Sequence, residues 1–104
     1  MNDFYRLHAE MCKTIANPVR LAIIDVLQDQ EMNASQLLEK IPISKANLSQ
    51  HINLLQQKGV IVSRREGLHV YYQLGDLRIL QACSLIKEIL KSWVEKNQSI
   101  VTKS

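Results

Sequence analysis

Apolar residues recur at helical spacing in the first third of the chain. Over residues 3–16 one face repeats at i, i+3, i+4, i+7, i+8 and i+11, and its members are Phe4, Leu7, His8, Met11, Cys12 and Ile15. Asn17 can cap a second helix, which starts at Pro18 and runs to about Gln28. The apolar stripe of this second helix is broad, so we predict that it is central to the core.

A short third helix is predicted before Pro42, because proline cannot continue a helix. Asn33 and Gln36 have the spacing of a capping box, with an Asx side chain in place of serine or threonine. The helix therefore begins after Asn33 and extends to about Lys40.

A fourth helix is predicted over residues 45–58. Ser44 can cap it, and Gly59 lies where glycine commonly ends a helix. An inward stripe repeats at i, i+4 and i+7 and consists of Leu48, Ile52 and Leu55. The opposite face has no acidic residue and carries short hydrogen-bonding side chains, namely Lys45, Asn47, Ser49, Gln50, Asn53 and Gln57.

Two runs rich in β-branched and aromatic residues follow, at residues 60–65 and 68–74. A turn at residues 66–67 separates them, which predicts a β-hairpin. Asp76 can cap a last helix that reaches about Lys96. That helix is apolar over most of its girth, so it is either fully buried or paired with a partner chain; its apolar residues are Leu77, Ile79, Leu80, Cys83, Leu85, Ile86, Ile89, Leu90, Trp93 and Val94.

These elements predict a mainly α fold with a small β-hairpin, which is the arrangement of a winged helix-turn-helix. The 104 residues suit one domain. We assign residues 1–96 to this domain, for DNA binding and dimerisation, and residues 97–104 to a frayed C-terminal tail.

Charge is concentrated in the centre of the chain. Residues 40–69 contain five basic residues and one acid, a net charge of +4, so the rest of the chain has −1 because the total is +3. A local basic patch points to an anionic partner, with nucleic acid first, although a solvated surface is the other interpretation. No apolar run is long enough to span a membrane, and the first residues do not resemble a signal peptide, so we expect a cytoplasmic protein with no membrane partner.

An enzyme is not expected. The three glycines are not clustered into a phosphate-binding loop, and histidines and acids do not fall at hydrolase or metalloprotease spacings. No cofactor is expected either. A winged-helix module that binds another protein instead of DNA is the remaining alternative, and steep salt dependence would separate the two.

In a winged helix-turn-helix, the second helix of the helix-turn-helix is the recognition helix, which enters the major groove with its N-terminal residues at the base edges. The β-hairpin is the wing, and it lies over phosphates or the minor groove. Here the recognition helix is the predicted fourth helix. Amides suit adenine and lysine suits guanine. We therefore expect Asn47 and Gln50 to discriminate bases, and Arg64 and Arg65 to strengthen binding to all sequences similarly. The full set of expected DNA contacts is Ser44, Lys45, Asn47, Ser49, Gln50, His51, Arg64, Arg65 and His69.

The runs ANPVRLAIIDVL and LSQHINLLQQKGVIVSRREGLHVYYQL resemble the ArsR/SmtB family of winged-helix repressors. The resemblance extends from about Tyr5 to Trp93. It implies a homodimer built from the first and last helices, which binds an imperfect palindrome in double-stranded DNA and is released by an inducer. The chain departs from common members at Lys45 and Ala46, early in the recognition helix, and at Leu68, where wings often carry arginine.

The inducer is not evident from the sequence. The metal sites usual in the family are absent as normally written, since the last helix has no histidine and the third helix has no cysteine. Cys12 and Cys83 lie on the two helices expected to form the dimer interface. They are inert core thiols, a dithiol switch that responds to reactive sulfur or oxidants, or, with His8, ligands of a thiophilic metal or metalloid.

Overall fold

The computed structural model describes residues 2–98. Within that range the chain forms five helices and one antiparallel hairpin, which confirms the predicted fold class. The elements are α1 (Asp3–Ile15), α2 (Pro18–Leu27), α3 (Ala34–Lys40), α4 (Lys45–Gln57), β1 (Ile61–Glu66), β2 (His69–Leu74) and α5 (Arg78–Lys96).

Side-chain caps define where the helices begin. The capping box is present, because Asn33 Oδ1 accepts from the Gln36 backbone N–H and Gln36 Oε1 accepts from that of Asn33, both at 2.9 Å. Asn17 caps α2, and Ser44 Oγ accepts from the Asn47 backbone N–H at 3.1 Å to start α4. These caps satisfy amides that a helix leaves unpaired at its first turn.

The hairpin turn lies one residue later than predicted. Glu66 pairs with His69 in the ladder, so the two turn residues are Gly67 and Leu68. Gly67 has a φ of +62°, a conformation that two-residue hairpin loops require and that glycine adopts without steric cost. Met32 adds a short bridge to Tyr72 through two backbone hydrogen bonds of 3.0 and 2.8 Å, which the sequence did not predict.

The core lies between α2, α3, α4 and the base of the hairpin. Its fully buried side chains include Ile23, Leu27, Leu37, Leu55 and Ile61, so the central place predicted for α2 is confirmed. In contrast, α1 and α5 contain no fully buried residue. Ile79, Leu80 and Cys83 of α5 are half-buried against the core, whereas the apolar residues farther along α5, from Leu85 to Trp93, are exposed.

The last helix ends at Lys96 as predicted, but it begins one residue later than predicted. Asp76 Oδ1 accepts from the Arg78 backbone N–H at 2.9 Å, but the N-cap position of α5 belongs to Leu77. The predicted frayed tail, residues 97–104, falls mostly outside the described residues, because the description ends at Gln98. None of the helices among residues 2–98 is long and apolar enough to cross a membrane.

Candidate nucleic-acid interface

The pair α3 and α4 forms a helix-turn-helix. Leu37 and Leu48 are both buried in the common core, which fixes one helix against the other. Ile41, between the two helices, is buried as well, so the connection is part of the packing. Around the buried Leu48, the other residues at the start of α4 are exposed, namely Ser44, Lys45, Ala46, Asn47, Ser49 and Gln50.

The exposed face of α4 is polar and free of acids. Helical spacing places Gln50 and Asn53 opposite the buried stripe, and Ser49 to one side of it. On that same side, Gln56 Nε2 donates to Ser63 Oγ of β1 at 3.0 Å, which joins the helix to the hairpin. No ion pair involves Lys45 within residues 2–98. This face therefore offers amide, hydroxyl and ammonium groups without carboxylates that would repel phosphate.

His51 occupies a different position from the other predicted contacts on α4. It is half-buried, and its Nδ1 accepts a hydrogen bond from Arg20 Nε at 3.2 Å. Arg20 in turn donates from Nη1 to the carbonyl oxygen of Thr14 at 2.7 Å. Thus His51 is held toward α2, and only the Nε2 edge of its ring is left for another partner. Arg20 was not among the residues predicted to matter, because nothing in the local pattern links positions 31 residues apart.

The two arginines of the wing have different surroundings. Arg64 binds the carboxylate of Glu31 and donates from Nη1 to Glu66 Oε2 at 2.7 Å, and its guanidinium lies 4.9 Å from the centroid of the Tyr71 ring. Hydrogen bonds to Glu31 and Glu66 raise the pKa of Arg64, and the same guanidinium lowers the pKa of Glu66. The positive charge of Arg64 is therefore balanced locally.

Arg65 lies on the other face of the hairpin. Since side chains alternate along a strand, it shares that face with Ser63, the residue that contacts α4. Arg65 is exposed, and the described residues 2–98 give it no ion pair. Beyond it, Leu68 at the tip is 97% exposed, and His69 is also exposed. Arg65 thus lies on the side of the wing that faces the recognition helix, α4.

The two cysteines are separate free thiols. Cys12 is exposed on α1, so within a single chain it is not a core thiol. Cys83 is half-buried where α5 packs on α2, beside an open cleft of about 270 Å³ that Leu21, Ile24 and Leu80 help to line. In one copy of residues 2–98, no three His, Cys, Asp or Glu side chains converge as a metal site would need, so the alternative set His8, Cys12 and Cys83 is not assembled there.

Large apolar side chains are exposed along α1 and α5. Phe4 is 71% exposed and Ile89 70%, and the remainder of this surface consists of Tyr5, Leu7, Met11, Leu77, Leu85, Ile86, Leu90 and Trp93. Monomeric soluble proteins rarely expose so many neighbouring apolar groups, whereas protein interaction surfaces do. Both terminal helices therefore have the character of an interface.

Known proteins resemble this arrangement over most of its length. A helix-turn-helix domain family matches residues 15–64. The HTH-type transcriptional regulator Rv0081 of Mycobacterium tuberculosis is 30% identical over 87 residues, which are 83% of this chain and 76% of that protein. The chain belongs to the helix-turn-helix transcriptional regulators. The crystal structure of Rv0081 superposes with a TM-score of 0.84 at 26% identity, and covers 93% of this chain and 98% of its own.

Further relatives resemble this chain in sequence or in structure. The transcriptional repressor SdpR of Bacillus subtilis is 40% identical over 63 residues, 61% of this chain and 70% of that protein. The structure of HlyU from Vibrio cholerae has a TM-score of 0.75 at 27% identity and covers 86% of this chain and 97% of its own. A role as a DNA-binding transcriptional regulator is what this chain shares with these relatives.

Proposed function

We propose that this regulator is an ArsR/SmtB-type homodimeric repressor that binds an imperfect palindrome in double-stranded DNA in the cytoplasm. The observation that carries the proposal is the acid-free exposed face of α4, together with Arg65, which has no ion pair within residues 2–98. Relatives named as repressors support the direction of regulation, SdpR among them. HlyU of V. cholerae is named a transcriptional activator, so an activator is the second candidate.

The exposed apolar residues of α1 and α5 support a homodimer. A second copy that covers these helices removes the apolar surface from water at about 25 cal/mol per Å². The winged helix-turn-helix protein Mb0332 of Mycobacterium bovis, which shares the fold, is described as homodimeric. Dimeric helix-turn-helix proteins hold their recognition helices about 34–36 Å apart, at successive turns of the major groove, and we infer the same spacing for this dimer.

We assign the DNA contacts by their exposure and chemistry. Asn47 and Gln50 read base edges, with Ser44, Lys45 and Ser49 at bases or phosphates near the N-terminus of α4. Arg65 and His69 approach the neighbouring backbone from the wing. Arg64 and His51, which already have partners within the chain, act mainly by orienting the wing and the helix.

Fluorescence anisotropy with the DNA upstream of the protein's own coding sequence tests this proposal. Binding to that duplex should be tighter than to a scrambled duplex, and log K should fall with log salt by about 0.9 for each phosphate contact. Gln50→Ala should lose about 1–3 kcal/mol of base discrimination, whereas the exposed Gln30→Ala is a matched control with no effect. A regulator that binds neither duplex, or one without salt dependence, would instead be a protein-interaction module.

For the inducer we propose a dithiol switch between Cys12 and Cys83. An α1 and an α5 thiol brought together at the dimer interface are oxidised to a disulfide, and the two electrons and two protons pass to a polysulfide or another mild oxidant, which is reduced. HlyU of V. cholerae, one of the solved relatives, has been described in a reduced form. A bridge needs Cα atoms within about 7 Å. We propose that its formation shifts one protomer against the other and so weakens DNA binding.

The switch is tested by the same titration after treatment with polysulfide. The reduced protein should bind tightly, the treated protein weakly, and Cys12→Ser or Cys83→Ser should bind tightly in both conditions. If the serine variants lose affinity just as the parent does, the switch is excluded. Release of the parent by a soft metal or metalloid ion, but not by polysulfide, would favour the alternative site with His8.

A further inference from the structure

Polar side chains join α1 to the recognition helix at two places. At the C-terminal end of α4, Lys58 Nζ lies 3.3 Å from Glu10 Oε2, and Glu10 also pairs with Arg6 at 3.1 Å. The nearby Lys58 is the main cause of a lowered pKa for Glu10. These three side chains are 40–62% exposed, so the pair is screened by solvent and holds α4 only weakly.

The second connection lies in the middle of α4 and is better shielded. Arg20 of α2 donates from Nη1 to the Thr14 carbonyl at 2.7 Å and from Nε to His51 Nδ1 at 3.2 Å. Both bonds are partly buried. One planar guanidinium thus joins the last turn of α1, the first turn of α2 and the recognition helix.

Arginine is suited to this place because its donors are fixed in one plane. Lysine has a single ammonium on a flexible stem and cannot hold two acceptors in a set geometry. The bond to His51 also requires Nδ1 to be unprotonated, which leaves the N–H of the ring at Nε2, away from Arg20. Arg20 therefore fixes the tautomer of His51 and the position of its ring.

We propose that Arg20 is a positioning residue for DNA binding. It sets the orientation of α4 relative to α1 and α2 by holding His51, and it does not contact DNA itself. The inference rests on the proposed DNA-binding function, because the orientation of α4 determines where the proposed base-reading residues Asn47 and Gln50 lie. In a dimer built through α1, the same bonds link the interface to the base-reading face.

Two measurements test Arg20 independently. The first is amide hydrogen exchange of α4 in the protein without DNA, comparing the parent with Arg20→Met and Arg20→Lys. Both variants should exchange about tenfold faster in α4 than the parent, while exchange in the hairpin is unchanged. Arg6→Met, a matched arginine replacement on the exposed surface of α1, should leave α4 as it is in the parent.

The second measurement is the affinity for the upstream duplex as a function of salt. Arg20→Met should bind about tenfold more weakly, with the same slope of log K against log salt as the parent, because no phosphate contact has been removed. A slope smaller by about 0.9 would identify Arg20 as a phosphate contact and overturn the proposal. Affinity and exchange both equal to the parent would overturn it as well.

If Arg20→Met does not fold, replacements of His51 decide the question. His51→Asn keeps an acceptor near the place of Nδ1, so α4 should exchange as in the parent, whereas His51→Leu should exchange about tenfold faster. Equal exchange in the two variants would contradict the proposal. Failure of the parent to prefer its upstream duplex would instead count against the proposed function, because the exchange measurements contain no DNA.

Discussion

Arg64 of the wing donates two hydrogen bonds to the carboxylate of Glu31, from Nε at 2.8 Å and from Nη2 at 3.0 Å. Glu31 immediately precedes Met32, which pairs with Tyr72 of β2 through the backbone. The segment before α3 is therefore joined to both strands of the wing. A bidentate pair of this kind adds direction as well as attraction, so it fixes the angle at which the hairpin leaves the body of the protein.

The two wing arginines should consequently differ when each is replaced by alanine. Arg65→Ala removes a cation that has no ion pair within residues 2–98, and it should reduce the slope of log K against log salt by about 0.9. Arg64→Ala should leave that slope nearly unchanged and should instead increase amide exchange in the hairpin, because it releases Glu31 and Glu66. Salt titrations by fluorescence anisotropy and hydrogen exchange measure the two effects. Equal slopes for the two variants would contradict this difference and would mean that both arginines contribute to DNA binding in the same way.

Leu68 at the tip of the wing should be a place where affinity can be gained. Its side chain is 97% exposed and the turn around it is formed by the backbone, so Leu68→Arg adds a cation without removing packing. The variant should bind all duplexes more tightly at low salt, with a slope steeper by about 0.9. Leu68→Gln is the uncharged control. No change in slope would mean that the wing tip stays away from the DNA backbone.

Gly75 should not tolerate a side chain. A Cβ atom at this position would overlap the carbonyl oxygen of Gly59, where the end of the hairpin meets the end of α4, and the backbone there is held by a 2.9 Å bond from the Gly75 N–H to the Val60 carbonyl. Gly75→Ala should lower the free energy of unfolding by about 1–3 kcal/mol, measured by urea denaturation. Gly67→Asn is the control, since its surroundings are open and asparagine adopts positive φ.

Asp76 should make stability depend on pH in the acid range. The side chain and backbone N–H of Arg78 hold the pKa of Asp76 at about 2, below its ordinary 3.8. A lowered pKa stabilises the folded state above the ordinary value, and this contribution is lost as the pH falls through 3.8 toward 2. The free energy of unfolding of the parent should exceed that of Asp76→Asn at pH 6, and the gap should shrink between about pH 4 and 2. A gap that is constant with pH would refute the assignment.

The sequence by itself determined the elements and most of their ends. Periodicity, Asn17, Asn33, Ser44 and Gly59 placed the helices within a residue or two, because capping and turn formation depend on groups only a few residues apart. The sequence also showed that the last helix has more apolar residues than one buried stripe needs, because this requires only a count of residue types. The exposed amides and hydroxyls of α4 followed from the same helical spacing, and with them most of the candidate interface.

Only the tertiary structure decided which polar side chains are already engaged. Arg64 and Arg65 are chemically identical neighbours, yet alternation along β1 turns one toward Glu31 and the other toward the side of α4. Likewise, His51 belongs to the pattern of α4 but is held by Arg20, which is distant in sequence. Such pairings arise from side chains that converge once helices and strands have packed, and local spacing carries no information about them.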